Sequence, residues 1–187
     1  MRLLLYPFVL LFMAVTSSLH GLITITVMQQ ASDVVITASG TANINDLGVP
    51  LNADYHSHVH TNINQVFVGP ATGMHSGKAY LGLSSSEPFG TGNFRLADSG
   101  SGDAFGIANT QLVVPDGYNT GDNLSGSGTY EGTTIALLGI TEQTWTWGSG
   151  PNADSATLTI VPEPSIWATL LGLMALGFVA WRRGSKS

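Results

Sequence analysis

Apolar residues in this chain recur at every second position in short runs, and turn-forming residues stop each run before it grows long. Ile23-Thr24-Ile25-Thr26-Val27 alternates apolar and hydroxyl side chains. Val34-Val35-Ile36-Thr37-Ala38 begins after Asp33 and stops at Ser39-Gly40. A period of two sends alternate side chains to opposite faces of a strand. Similar segments lie at 59–68, 78–83, 93–96, 111–114, 125–130, 144–147 and 156–160. Asp116-Gly117, Asn119-Thr120-Gly121, Gly148-Ser149-Gly150 and Pro151-Asn152 separate several of them, as turn chemistry requires. No segment between the two ends of the chain has the 3.6-residue period of a long amphipathic helix, and no fixed repeat suggests a solenoid. The expected fold is all-β: one sandwich or jelly-roll-like ectodomain over 19–160.

Charge and cysteine content narrow the function classes. The chain has no cysteine, which removes disulfides, thiolate nucleophiles and zinc–cysteine sites. Between 22 and 161 there are two basic residues, Lys78 and Arg95, and eleven acidic ones, a net charge of −9 with histidines neutral. Such a surface repels phosphate backbones, so nucleic acid is not expected as a partner.

Both ends carry targeting features. Arg2 precedes an apolar run from Leu3 to Val15, and the small residues Ala14, Thr16, Ser17 and Ser18 follow. This is the order of a secretory signal peptide, assigned to 1–18, with cleavage expected between Thr16 and Gly21, near Ser18. At the other end, residues 166–181 contain no charge and carry Trp167 and Trp181 near their two ends. As a helix the run is about 24 Å long, slightly short of a bilayer core of about 30 Å. Arg182, Arg183 and Lys186 follow, which orients the C-terminus to the cytoplasm. Pro162 and Pro164 bias the residues before them, Val161 and Glu163, to extended conformations.

Val161-Pro162-Glu163-Pro164-Ser165, the apolar run and the Arg182-Arg183 stop together resemble the PEP-CTERM sorting tail of bacterial surface and secreted proteins, spanning 161–187 here. Val34 to Asn43, Gly102 to Ile107, Leu112 to Tyr118, Leu124 to Tyr130, Leu138-Gly139-Ile140, Thr144 to Gly150, Asn152 to Ser155 and Leu158 to Ile160 are similar to the ectodomain of a recurrent group within that family. The resemblance implies that an exosortase-type enzyme in the membrane recognises Pro162, Glu163 and Pro164, while Arg182 and Arg183 hold the tail for processing. It implies a membrane-anchored precursor and a product at the cell surface or outside it, often beside exopolysaccharide or biofilm. It carries no enzymatic activity and no cofactor. The expected function is therefore that of a non-enzymatic surface or matrix protein.

Five groups of residues bear on alternatives. His56, His58 and His60 share one face if they lie on one strand, with Asp54 in register, and neighbours about 7 Å apart could hold a metal if their rings converged. A solvated sheet face is the plainer reading, and His75 falls in an expected turn. Trp145 and Trp147 also share a face, which favours a core position; exposed, they would stack on sugar rings. An ice-binding face needs a regular threonine array, and Thr24 and Thr26 with Thr144 and Thr146 are too few to make one. Asp116, Asn119 and Asp122 read as a self-satisfied turn before they read as a calcium loop. Glu87, Glu131 and Glu142 lie in no catalytic context, and no nucleophile elbow, phosphate loop or zinc-protease motif is present.

Overall fold

Alternation becomes strand wherever turn residues bracket it. The computed structural model describes residues 20–84, 87–149 and 153–161, together with Met174. The expected signal helix, membrane helix, Pro162-Glu163-Pro164 motif and Arg182-Arg183 stop lie outside the described residues. Among those described, no helix is long and apolar enough to cross a membrane.

Thirteen strands are described: β1 (Leu22–Gln30), β2 (Asp33–Thr41), β3 (Leu51–Tyr55), β4 (His58–His60), β5 (Gln65–Val68), β6 (His75–Leu81), β7 (Arg95–Leu96), β8 (Ser99–Gly102), β9 (Phe105–Ala108), β10 (Gln111–Pro115), β11 (Leu124–Tyr130), β12 (Gln143–Trp147) and β13 (Asp154–Val161). One short helix, α1 (Ile135–Leu138), is capped by the Thr134 hydroxyl, which accepts from Leu137 N–H, and ends at Gly139 in the left-handed region. The expected all-β class holds, in the form of two sheets. The first runs β12-β13-β1-β2-β11-β8 and the second β3-β6-β10-β9-β5-β4-β7. Strands β1 and β13 pair in parallel, and the other named pairs are antiparallel.

The sheets pack face to face on one core. Ile23, Ile25, Val27, Ile36, Trp145 and Leu158 enter it from the first sheet; Val66, Val68, Phe105, Ile107, Leu112 and Val114 enter from the second. Burying each of these large side chains stabilises the fold by roughly 1.5–3 kcal/mol. On β11 the inward positions include Gly126 and Gly128. A Cβ on Gly126 would come within 2.4 Å of the Asp103 carbonyl oxygen and 2.9 Å of Val68 Cγ2, so the sheets approach there too closely for a side chain.

Two differences from the expected elements bear on function. The run at 59–68 is two strands, because the chain makes a 3-10 turn over Thr61–Ile63 and leaves it through Asn64 at φ 57°, a conformation asparagine tolerates. Strands β3, β8 and β9 were not expected as strands; β8, Ser-Gly-Ser-Gly, has no apolar pattern to reveal it.

Candidate functional site

A two-residue connection shapes the second sheet. Strand β3 is its first strand and β4 its sixth, yet only His56 and Ser57 join them. Five inter-strand spacings would be about 24 Å in an open sheet. Three Cα steps reach at most about 11 Å. The sheet therefore curls, away from the sandwich core, until β3 and β4 meet as one bent strand. Contacts across the curl agree. The Tyr55 and Phe67 rings lie 4.9 Å apart. The Tyr55 hydroxyl donates to the Ala104 carbonyl at 2.6 Å, and Ser57 donates to the Phe67 carbonyl at 3.3 Å.

Inside the curl is a second, smaller apolar cluster of Tyr55, Phe67, Ala79 and Val113. Burial, with the charge of Asp116 adding to it, pushes the Tyr55 phenol up to about 12. The strands opposite carry small side chains here: Gly106 pairs with both Phe67 and Val113, and Ala108 pairs with Gln65 and Gln111. A Cβ on Gly106 would lie 2.7 Å from Phe67 Cδ1, so the bare glycine backbone is what lets that ring lie across the strand. Large residues around small ones leave a concave mouth of about 310 Å³. Tyr55, His56, His58, Phe67 and Phe94 line it, with Gln65, Gln111 and Ala108 on the same face.

The histidine triplet contributes to this mouth but does not converge. Strand geometry stops at Tyr55 and resumes at His58, with Ser57 buried between. His56 Nδ1 lies 2.8 Å from the Gly73 carbonyl oxygen. His58 Nδ1 lies 2.9 Å from the His56 carbonyl oxygen, and its Nε2 lies 3.1 Å from the Gln65 side-chain amide. Burial holds the His58 ring below its ordinary value, so it is neutral at pH 7. Nδ1–H donates to the carbonyl, and the second ring nitrogen, Nε2, meets the Gln65 side-chain amide. Both nitrogens of His58 are thus used within the protein. His60 instead meets Phe94 edge-on, with centroids 5.7 Å apart. No three His, Cys, Asp or Glu side chains gather as a metal site among the described residues. The rings form a row instead: His58 stacks on Phe67 and touches Phe94, both at 4.9 Å between centroids.

The outward face of the first sheet has the opposite character. Register aligns Thr144, Thr157, Thr24, Ser39 and Ser125 across five strands. The next row is Thr159, Thr26, Thr37, Ser127 and Ser101. All ten positions are Thr or Ser, and each is exposed or half-buried. Sequence alone offered only Thr24 and Thr26 with Thr144 and Thr146, of which the register brings Thr24 and Thr144 into one row. Around Thr24 and Thr26 the sheet supplies the rest of the two rows from five other strands.

The remaining candidates resolve as follows. Trp145 and Trp147 are buried at 0% and 2% exposure, so neither ring is a sugar platform; Trp147 Nε1 donates to the Asn43 carbonyl at 3.0 Å. Asp122 accepts from the Asn119 backbone N–H at 2.9 Å and Asp116 faces Lys78 at 3.7 Å, which leaves that loop a satisfied turn. Tyr118 clamps the same loop, accepting from Ala42 N–H at 2.7 Å. His75 opens β6 rather than sitting in the turn before it, and its Nε2 lies 2.8 Å from the Pro70 carbonyl oxygen. Glu131 follows β11 and Glu142 precedes β12, where its carboxylate accepts from Ile160 N–H at 3.3 Å. Glu87 is exposed in the loop between β6 and β7. Of the new features, the small outward residues Gly106 and Ala108 were the available signal for the mouth, but nothing local showed what surrounded them. Compared with protein-family models, curated proteins and solved structures, the chain matches none.

Proposed function

We propose that the chain is a non-enzymatic exported surface or extracellular-matrix protein, sorted through Pro162, Glu163 and Pro164, with the sandwich as the part presented outside the cell. The observation that carries this reading is where β13 stops. Its last residue, Val161, pairs with Met28, and Pro162 follows at once. Proline has no N–H to continue a ladder, so folded domain and sorting motif abut in sequence without a linker. The parallel β1–β13 pairing adds a second point. The Leu22–Ser155 end and the Met28–Val161 end are opposite ends of the pair. In sequence, the expected signal peptide at 1–18 precedes one end of this pair, and the expected membrane segment at 166–181 with its Arg182-Arg183 stop follows the other. In this reading the precursor is membrane-anchored, the partner is an exosortase-type enzyme, and the product stays at the surface or leaves it, associated with polysaccharide or biofilm.

Intact mass and fractionation of the native protein, with and without the host's exosortase, test it. Loss of the tail beyond Pro164 only when the enzyme is present supports the reading. An intact, membrane-bound tail in both strains overturns it.

A specific observation favours a second reading, ice binding. The two hydroxyl rows form an array with spacings of about 4.8 Å across strands and about 6.7 Å along them, and no charged residue interrupts the ten positions. Repeats of this size suit an ordered water layer, most closely over the central strands, where sheet twist accumulates least. Thermal hysteresis or inhibited ice recrystallisation by the purified protein supports it; neither effect at millimolar protein excludes it.

A further inference from the structure

We propose that the mouth of the curled second sheet binds one uncharged pyranose unit of an extracellular polysaccharide. The proposal rests on the surface-protein reading for the source of its ligand, and on the geometry of the mouth for the rest.

A pyranose offers an apolar C–H face and a rim of hydroxyls. Its site needs an aromatic surface and side chains that both donate and accept. Phe94 is half exposed at the mouth and in ring contact with both His58 and His60. Its ring is therefore held in place before any ligand arrives, which lowers the ordering cost of binding. Gln65 and Gln111 flank the small Ala108 between them, and each amide carries a donor and an acceptor. His56 also lines the mouth, with its Nδ1–H given to the Gly73 carbonyl. The volume, about 310 Å³, is at the small end for ligand sites, which run from about 300 to 1,000 Å³. That admits one ring with the polymer continuing outward.

Charge selects among saccharides. No lysine or arginine lines the mouth. The two basic residues of the domain are already paired, Lys78 with Asp116 and Arg95 with Asp98. A uronate or sulfated polymer would meet a domain of net charge −9 with no free cation at the site. A neutral sugar meets no such penalty.

The test is titration calorimetry of the full-length chain in detergent micelles. The probes are neutral β-linked gluco-oligosaccharides, chitotetraose and, as the anionic comparison, an alginate oligomer. Saturable binding of a neutral probe, and none of alginate, is expected. Phe94→Ala weakens it about tenfold, the size of one lost stacking contact. Gln111→Ala weakens it about threefold to tenfold, as for one neutral hydrogen bond. Both variants keep the parent melting temperature, and Thr37→Ala on the opposite sheet leaves affinity unchanged. Absence of neutral binding, equal binding of alginate, or binding that survives both groove substitutions overturns the proposal. A tail processed by exosortase without saccharide binding refutes the groove and leaves the sorting reading intact. Binding by a protein whose tail is never processed does the reverse.

Discussion

The two outward faces of this sandwich come from the same kind of strand and end with opposite chemistry. On the first sheet, long strands such as β1 and β2, nine residues each, keep an unbroken register, so hydroxyl positions line up into rows. On the second, strands of two to seven residues are pulled round by the His56-Ser57 connection, and an outward face becomes the lining of a mouth. Strand length and connection length therefore decide whether alternation yields an open array or a concavity. The same alternation also decides cost. Residues outward on the first sheet meet water, whereas Phe67, equally outward on the second, is 3% exposed.

The sharpest way to break this comparison is to truncate that ring. Phe67→Ala is expected to destabilise the protein by about 3–5 kcal/mol, as for a core phenylalanine. Equilibrium denaturation of the full-length chain measures it. A cost below about 1 kcal/mol, the range of exposed positions, would show that the curl opens in solution. Gly106→Ala follows in size. Its Cβ would come within 2.1 Å of the Val66 carbonyl oxygen, so backbone as well as the Phe67 ring must shift. The expected loss is about 1–3 kcal/mol. A neutral result would mean that Phe67 does not lie over this strand.

Titration separates the two sheets by sign. His58, in the mouth, has a folded value below its ordinary 6.5, mainly through burial. The unfolded chain then binds the proton first, so the stability His58 contributes is present above pH 6.5 and is lost as pH falls through the depressed folded value. Asp154 opens β13 of the first sheet and is 2% exposed. It accepts from Gly21 N–H through Oδ1, and its Oδ2 has no partner among the described residues. Burial raises it above 3.8, with the charge of Asp46 adding to the effect. Its contribution is present below pH 3.8 and is lost as pH rises through the raised folded value. His58→Gln should flatten the decline below pH 6.5, and Asp154→Asn the decline on the acid-to-neutral side. Stability measured from pH 3 to 8 checks both; an unchanged profile in His58→Gln would place that ring in water.

How much of this was legible beforehand depends on range. Alternation in Ile23 to Val27 and in Thr144 to Trp147 showed which residues face the core, since a strand sets facing locally. It could not show that Thr24 stands between Thr157 and Ser39, because that neighbourhood joins residues far apart in the chain. The histidines illustrate the opposite error. Spacing put His56, His58 and His60 on one face, and His56 and His58 do both line the mouth. One buried residue, Ser57, bends the chain between them, and their nitrogens turn to separate carbonyls. The mouth itself arises from a connection too short for an open sheet, and that constraint exists only once strand order is known. The tail at 161–187 was the reverse case: its chemistry is local and readable, and it lies outside the described residues beyond Val161, Met174 apart.

The smallest expected effect sharpens the comparison from the other side. Thr26 sits at the centre of the hydroxyl rows, between Thr159 and Thr37. Replacing it by valine keeps the β-branch and nearly the volume and removes one hydroxyl. On a half-buried outward position the stability change should stay within about 0.5 kcal/mol. Thr37→Val beside it should behave alike, and because the two are paired neighbours, the double variant tests whether their small terms add. If the face only keeps the sheet soluble, the double variant folds, melts and fractionates like the parent. If the array orders water or a crystalline surface, ice recrystallisation inhibition falls in the double variant while the melting temperature does not move. A stability loss above about 1 kcal/mol would instead mean that these hydroxyls are structural, and the contrast between an open face and a closed one would have to be withdrawn.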